Sequence, residues 1–252
     1  MRRFPLASLS AVAALLATGA WSSGASAATL TGDYQFQGTR ASSGPGPTLI
    51  DIGAGGSTFV TDNVMGVSRQ VLAFPLHSGV RMTPAGLGGS DPAYSVVTTF
   101  RFDTVDGYRR ILDPSNGTLD RGIHVYSGYL RYSPSGEESS NVVFADNVYA
   151  TVAITSTPSP ATAKVYVNGS PVVVVPTDPV AADTLRFFKD NDTPTTDEDS
   201  AGAVSCIRVF GGVLTDAEVA AIGASPTCAA PAPSGPPSAK KKKCKKKKKK
   251  KK

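Results

Sequence analysis

The sequence predicts an all-β fold, a two-sheet antiparallel jelly-roll sandwich of about a dozen strands with one short C-terminal helix. Short runs rich in Val, Thr, Tyr and Phe recur between clusters of Gly, Pro, Asp and Ser, as expected of strands joined by tight turns. Alternate residues from Val96 to Phe102 share one face, which is the period-2 pattern of a half-buried strand. The Asn168-Gly169 pair joins two such runs and is typical of a type I′ hairpin turn. The predicted strands are residues 34–37, 69–74, 94–102, 108–112, 122–126, 129–132, 150–154, 164–167, 171–175, 184–188 and 203–210.

One helix is predicted, at residues 216–222. Thr215 supplies an N-cap hydroxyl, Glu218 stands three residues later to complete a capping box, and Gly223 supplies the C-cap. The apolar residues of the helix leave one side to pack on a sheet. We therefore expect a helical lid on the sandwich that has no part in catalysis.

The composition divides the chain into four segments. Residues 1–27 are predicted to be a secretory signal peptide, because two arginines, an apolar run and an Ala-Ser-Ala cleavage motif follow one another. Residues 28–228 form the predicted domain, residues 229–239 a Pro-rich linker, and residues 240–252 a disordered poly-lysine tail. No later segment reaches about eighteen uncharged apolar residues, so no transmembrane segment is expected. The protein is therefore predicted to be secreted and extracellular, and held at the cell surface by its tail.

The formal net charge of +6 conceals an acidic domain. Of the 26 basic residues, 12 are tail lysines and two lie in the signal peptide, so the domain carries all 20 acidic residues and a charge of about −8. This argues against a specific nucleic-acid partner, because such folds cluster Lys and Arg on one face. The tail is expected to bind an anionic envelope component, with an affinity that falls as salt rises. A solubilising tail without a partner is the alternative.

The three cysteines agree with export. Cys206 lies in the last long strand and Cys228 just beyond the helix, so a disulfide between them would pin the helix and the chain end to the sheet. Closing a loop of this length stabilises a fold by about 3 kcal/mol in the chain-entropy model. Cys244 stands alone among the tail lysines, where a reactive thiol, an intermolecular link and an inert free cysteine all remain open.

Three segments resemble parts of one known domain. YSVVTTFRFDTVDGYRRILDPSNG (residues 94–117) resembles an early strand that crosses the sandwich, VYVNG (165–169) resembles a Tyr-x-Asn-Gly hairpin, and IRVFGGVLTDAEVAAI (207–222) resembles a final strand and helix. Together they resemble the laminin G-like (LamG) jelly-roll domains of the concanavalin A-like lectin/glucanase superfamily, over most of residues 34–222. The resemblance implies a binding module, with carbohydrate or a cell-surface glycan as the leading ligand class. A structural or adhesive surface protein that binds other proteins is the first alternative, and a glycoside hydrolase is the second.

The residues argue against an enzyme. Glycoside hydrolases need two carboxylates that flank the scissile bond. Glu137 and Glu138 are adjacent, so in a strand they point to opposite faces, and Glu198 has no glutamate partner at a suitable spacing. The two histidines belong to no metalloprotease motif, and no G-x-S-x-G elbow is present.

The acidic run FFKDNDTPTTDEDSAG (residues 187–202) is the candidate metal site. Asp190, Asn191, Asp192 and Asp199 offer the hard oxygen ligands that Ca²⁺ prefers. The spacing is not that of an EF-hand, because the turn glycine is missing and Pro194 interrupts the run. LamG-like domains often hold calcium at a loop rim, so the resemblance implies Ca²⁺ as the candidate ion, and a solvated acidic loop without a metal is the alternative.

A ligand-binding face is predicted from the hairpin GIHVYSGYLRY (residues 122–132). If Ser127-Gly128 is the turn, one face carries His124, Tyr126, Tyr129 and Arg131, and the other face is apolar. Aromatic rings beside hydrogen-bonding groups suit a sugar, while an ordinary amphipathic exterior is the alternative. The only tryptophan, Trp21, lies in the predicted signal peptide, so tyrosines would have to stack against the ligand.

Overall fold

The computed structural model describes residues 28–87, 93–176, 180–190 and 198–230. The predicted signal peptide, the lysine tail with Cys244 and most of the predicted linker lie outside these residues. The described part contains one 3₁₀ helix at Ala181–Asp183, one α-helix, α1, at Asp216–Ile222, and fourteen strands. The strands are β1 Thr29–Tyr34, β2 Ile50–Gly53, β3 Thr58–Val64, β4 Val67–Phe74, β5 Ser78–Met82, β6 Tyr94–Phe102, β7 Tyr108–Asp113, β8 Gly122–Tyr126, β9 Tyr129–Ser133, β10 Ala150–Pro158, β11 Ala161–Val167, β12 Ser170–Pro176, β13 Leu185–Phe187 and β14 Gly202–Gly211.

The strands form two antiparallel sheets, which confirms the predicted fold class. Sheet A has eight strands in the order β12-β11-β10-β6-β14-β4-β3, and β1 also pairs with β14. Sheet B has six strands in the order β2-β5-β13-β7-β8-β9. Among the described residues, no helix has the length and apolar character needed to cross a membrane.

The main hydrophobic core lies between the two sheets. Phe74 of β4 stacks on Phe188, which follows β13, with ring centroids 4.6 Å apart. Phe100 and Phe102 of β6 pack on the same Phe188 ring at 5.3 and 6.1 Å. These contacts hold Phe188 in the core of the sandwich. The residues that follow Phe188 are therefore attached to a side chain whose position is set by packing.

The prediction that β6 is half-buried is wrong, because both faces of this central strand are covered. Its second face carries Val97, which lies in a separate apolar cluster with Val219 and Ile222 of α1. On the same face, the hydroxyl of Thr99 donates to the backbone oxygen of Ser225 at 2.6 Å. The helix and the chain end after it therefore cover the outer face of sheet A.

The local predictions for α1 are confirmed. Thr215 Oγ1 accepts a hydrogen bond from the backbone nitrogen of Glu218 at 3.2 Å, and Glu218 Oε2 accepts one from the backbone nitrogen of Thr215 at 2.7 Å. Gly223 follows the helix with a positive φ of 56°. The predicted Cys206–Cys228 disulfide is also present, and it joins β14 to the segment beyond α1.

The sequence patterns do not predict β2, β3 or β5, and they place the first strand at residues 34–37, whereas β1 ends at Tyr34. β2 and β3 are edge strands, so they have one neighbour each and little apolar alternation. β5 contains Gly79, where an added Cβ would lie 2.1 Å from the carbonyl oxygen of Phe187. β3 pairs with β4, the next strand in the chain, whereas β2 and β5 are extended through pairing with strands that are distant in the sequence.

Candidate functional site on the outer face of sheet B

The predicted hairpin between β8 and β9 is present with the predicted register. Ser127 and Gly128 have φ values of 48° and 85°, as a type I′ turn requires. Tyr126 lies opposite Tyr129, and His124 lies opposite Arg131. Directly opposed residues share a face, so these four side chains point to the outer side of sheet B.

β7 extends this face by one strand. Tyr108 lies opposite Tyr126, and Arg110 lies opposite His124. Two rows of side chains therefore cross β7, β8 and β9. The first contains Tyr108, Tyr126 and Tyr129 and is called the tyrosine row below; the second contains Arg110, His124 and Arg131.

The tyrosine row is partly exposed and has a cation beside it. The rings of Tyr108 and Tyr126 lie 4.3 Å apart at an angle of 36°. The guanidinium carbon of Arg131 lies 5.0 Å from the centroid of Tyr126 and 5.6 Å from that of Tyr108. Arg131 also lies 3.5 Å from a carboxylate oxygen of Glu138. Aromatic faces, phenol hydroxyls and a guanidinium thus meet at one place on the surface.

The second row is buried at two of its three positions. The side chain of Arg110 is fully buried, and that of His124 is 1% exposed. Two residues lie over Arg110 and His124 on this face: Asp190, which follows β13, and Glu198, which precedes β14. We call them the covering residues. The backbone nitrogen of Arg110 donates to the carbonyl oxygen of Glu198 at 3.0 Å, so Glu198 lies directly beside β7. His124 is therefore separated from the exposed face on which the sequence placed it, while Tyr126, Tyr129 and Arg131 remain partly exposed.

Each of the three guanidinium nitrogens of Arg110 donates a hydrogen bond. Its Nε donates to Asp190 Oδ1 at 3.0 Å, its Nη1 to the carbonyl oxygen of Arg121 at 2.6 Å, and its Nη2 to Asp120 Oδ1 at 2.7 Å. Its Nη2 also lies 3.6 Å from Glu198 Oε2. A buried arginine needs such partners because an unpaired charge is costly to remove from water.

His124 and Glu198 face each other within this arrangement. His124 Nε2 lies 3.3 Å from Glu198 Oε2 and 3.8 Å from Asp120 Oδ1. Neither ring nitrogen of His124 nor Glu198 Oε2 makes a hydrogen bond to another of the described residues. Burial lowers the pKa of His124 to about 3, and the charge of Arg110 adds to the effect. Burial raises the pKa of Glu198 to about 7, and the charge of Asp190 adds to that.

Four of these side chains present metal-ligand atoms. One atom each from Asp120, His124, Asp190 and Glu198 lies within 4.8 Å of the other three. We call these four residues the donor cluster. Its residue types could hold a metal ion, and Arg110 lies against three of its members.

The sequence-predicted calcium ligands are only partly described. Asn191 and Asp192 lie outside the described residues. Asp199 Oδ1 accepts a hydrogen bond from the backbone nitrogen of Asp190 at 2.7 Å. Its Oδ2 lies 3.2 Å from both His77 Nδ1 and Lys189 Nζ. Asp190 and Asp199 therefore already have cationic partners, Arg110 for the first and Lys189 for the second.

Sequence reasoning missed Arg110 and Asp120, and it considered Glu198 as a carboxylate without a glutamate partner at the spacing of a glycosidase pair. The hairpin pattern places His124 on a face with Arg131, and an extension of it to residues 108–112 would have added Arg110. No local signal indicates that the segment after β13 folds over this face. Arg110 and Asp190 are 80 residues apart in the chain.

No protein-family model matches this sequence, and no curated protein matches it either. Solved structures do match. Domain 4 of AbnA, a GH43 extracellular arabinanase from Geobacillus stearothermophilus, in complex with arabinotriose, has a TM-score of 0.57 and 17% identity over 77% of this chain and 97% of that chain. The binding domain of Paraclostridial Mosquitocidal Protein 1 has a TM-score of 0.55 and 11% identity over 76% of this chain and 51% of that chain.

A third match is botulinum neurotoxin type C, with a TM-score of 0.50 and 12% identity over 76% of this chain and 50% of that chain. The fold shared with these structures is a two-sheet β-sandwich. The chain spans about half the length of the two toxin structures. At these identities the likeness shows the architecture, and function must be argued from the site.

Proposed function

We propose that this protein is a secreted, non-catalytic carbohydrate-binding module of the LamG-like type. The observation that carries the proposal is the partly exposed tyrosine row with Arg131 beside it, on the outer face of sheet B. Aromatic rings offer apolar faces on which a sugar ring can stack, and the hydroxyls and guanidinium offer hydrogen bonds to its hydroxyl groups. A cell-surface glycan is the ligand class proposed.

The structural neighbours support the choice of ligand class by analogy. The arabinanase domain is seen with arabinotriose, and cell entry of botulinum neurotoxin type C depends on interaction with two ganglioside molecules. Both are β-sandwiches of the architecture described above. A saccharide is therefore the first ligand to test on this chain.

The environment of the carboxylates supports a non-catalytic role. Arg110 donates hydrogen bonds to Asp120 and Asp190, two of the carboxylates near Glu198. A glycosidase pair needs one carboxylate free to act as a base or nucleophile and a second to act as an acid, on opposite sides of the scissile bond. Carboxylates bound to a buried arginine are poor candidates for either role.

Export and surface retention complete the proposal. The disulfide between Cys206 and Cys228 suits an oxidising compartment, where such bonds persist. The lysine tail is proposed to bind an anionic polymer or membrane at the cell envelope. Calcium near residues 190–199 is proposed as a support for the domain.

A glycan array followed by calorimetry on the best saccharide tests the proposal. Tyr126→Ala should weaken binding about tenfold or more, because it removes the ring nearest Arg131. Tyr126→Phe keeps the ring and should bind within a few-fold of wild type. Val174→Ala, an exposed change on sheet A, is the matched control and should leave binding unchanged.

Three outcomes would contradict the proposal. Cleavage of an oligosaccharide would favour the glycoside hydrolase. Binding to proteins without binding to any saccharide would favour the adhesive alternative. Saccharide affinity of Tyr126→Ala equal to that of wild type would mean that the tyrosine row is not the binding site. The same experiments with calcium and with EDTA test the metal. A melting temperature that is equal in the calcium and EDTA buffers would mean that calcium does not stabilise the domain.

A further inference from the structure

The donor cluster contains two kinds of ligand, an imidazole and three carboxylates. We propose that Asp120, His124, Asp190 and Glu198 bind one divalent transition-metal ion of the zinc class. This site shares Asp190 with the calcium site expected from the sequence but differs from it in ligand type, since Ca²⁺ takes oxygen ligands and imidazole is typical of zinc and its neighbours. The inference does not depend on carbohydrate binding.

His124 is the first observation that points to a ligand. Its side chain is 1% exposed, and both ring nitrogens lack a hydrogen-bond partner within the part of the chain that the structure describes. Buried polar groups in proteins nearly always have a partner, so an orphaned imidazole calls for an explanation. Its Nε2 is directed at Glu198 Oε2 and Asp120 Oδ1, the two nearest carboxylate oxygens. A metal ion bound between these atoms would supply the missing partner for Nε2.

The spacing of the donors fits a small ion. Zinc bonds to nitrogen and oxygen ligands are about 2.0–2.2 Å long, so neighbouring ligands of a tetrahedral site lie about 3.3–3.6 Å apart. His124 Nε2 and Glu198 Oε2 are 3.3 Å apart, and His124 Nε2 and Asp120 Oδ1 are 3.8 Å apart. All four donor atoms lie within 4.8 Å of one another. Small side-chain adjustments would therefore complete the coordination.

The charges also favour a cation. Asp120, Asp190 and Glu198 bring three carboxyl groups to a place where Arg110 is the cation in contact with all three. When ionised, these three carboxylates outnumber the single positive charge of Arg110, and a cation bound among them would reduce the excess of negative charge.

Arg110 is compatible with this site as a partner of a ligand. Its Nε already holds Asp190 Oδ1 at 3.0 Å, in the way that outer groups orient metal-binding carboxylates. Its Nη2 is farther from Glu198 Oε2, at 3.6 Å. The side chain of Asp120 is 52% exposed, so it can rotate and offers the ion a route in from solvent.

A bound ion would connect three parts of the chain. Asp120 lies between β7 and β8, His124 lies on β8, and Asp190 and Glu198 stand at either end of residues 191–197. The ion would hold the covering residues on the outer face of sheet B, next to the tyrosine row. The expected role is structural.

Titration of chelator-treated full-length protein with zinc chloride, followed by calorimetry, tests the site. The protein should carry no histidine tag, and Cys244→Ser should be present throughout so that the tail thiol is excluded. We expect one saturable site per chain, with Asp120→Asn weakening it about tenfold or more and His124→Gln abolishing it. Cobalt chloride should give the visible absorption of a nitrogen- and oxygen-ligated ion in wild type and not in His124→Gln.

His77→Gln is the matched control, because His77 is the other histidine of the chain and lies outside the donor cluster. It should bind zinc as wild type does. Asp120 is half-exposed, so Asp120→Asn remains informative even where His124→Gln loses its fold, which circular dichroism would report. Binding weaker than about 100 µM in wild type, or unchanged binding in Asp120→Asn, overturns the proposal.

Discussion

At the scale of single residues, burial acts on His124 and Glu198 in opposite directions. His124 lies beneath the covering residues and Glu198 is one of them, and an ion without a full set of partners is costly at either position. The pKa of His124 is lowered to about 3 and that of Glu198 is raised to about 7, so both side chains favour their neutral forms. In the absence of metal, the folded protein therefore favours a neutral pair at this position between about pH 3 and pH 7.

These shifts make stability depend on pH in opposite ways. The folded pKa of His124 is below its ordinary value of 6.5, so its contribution is complete above pH 6.5 and is lost as the pH falls. The folded pKa of Glu198 is above its ordinary value of 4.5, so its contribution is complete below pH 4.5 and is lost as the pH rises through about 7. Between pH 4.5 and 6.5 the two effects oppose each other.

We predict that Glu198→Gln makes the pH dependence of stability due to His124 visible, because it removes the opposing effect of Glu198. In EDTA, the free energy of unfolding of this variant should rise between pH 4.5 and 6.5, whereas that of wild type should change less. Urea unfolding at several pH values measures both curves. His124→Gln should show the reverse slope. Parallel curves for wild type and Glu198→Gln would contradict the inference that the burial of Glu198 makes the free energy of unfolding fall as the pH rises.

At the scale of secondary-structure elements, some turns and helix ends are determined by residues close in the chain, and some strands form only through pairing with distant segments. The turn at Ser127-Gly128 and the capping box of α1 involve residues within a few positions, so the sequence predicts their register and ends. β5, in contrast, is extended because it pairs with β2 and β13. Its sequence, SGVRM, carries little strand signal of its own.

We predict that Thr215→Ala lowers the free energy of unfolding by about 1 kcal/mol, because it removes the N-cap acceptor used by the backbone nitrogen of Glu218. Thr215→Ser keeps a hydroxyl at the cap and should remain within a few tenths of a kcal/mol of wild type. Denaturant unfolding of the three proteins measures the difference. Equal stability of Thr215→Ala and wild type would mean that packing on sheet A holds α1 without a contribution from the cap.

At the scale of the whole molecule, the two outer faces carry different features. The outer face of sheet A is covered by α1, and Cys206 holds Cys228 there, so the chain reaches Ala230 on that side. The tyrosine row lies on the outer face of sheet B. A domain anchored through residues beyond 230 can therefore present the tyrosine row away from its point of attachment.

We predict that the lysine tail gives salt-sensitive binding to anionic surfaces. Full-length protein should sediment with phosphatidylserine vesicles at low salt and much less at high salt, because each lysine near such a surface contributes up to about 1 kcal/mol that ions screen. Deletion of residues 240–252 should abolish this binding. A tail of equal length with glutamine in place of lysine is the control for length. Equal sedimentation of full-length and deleted proteins would exclude the tail as an anchor.

The sequence by itself determined the all-β class, the hairpin register around Ser127-Gly128, the capped helix and the Cys206–Cys228 pairing. Each depends on alternation, on turn and cap residues close in the chain, or on the order of a few elements. Only the tertiary structure decided that β6 is covered on both faces and that His124 is buried beneath residues from either side of 191–197. These depend on contacts such as Arg110 with Asp190, 80 residues apart, which no local pattern specifies. The same contacts separate the partly exposed tyrosine row from the buried His124 of the donor cluster, although the two lie on neighbouring rows of sheet B.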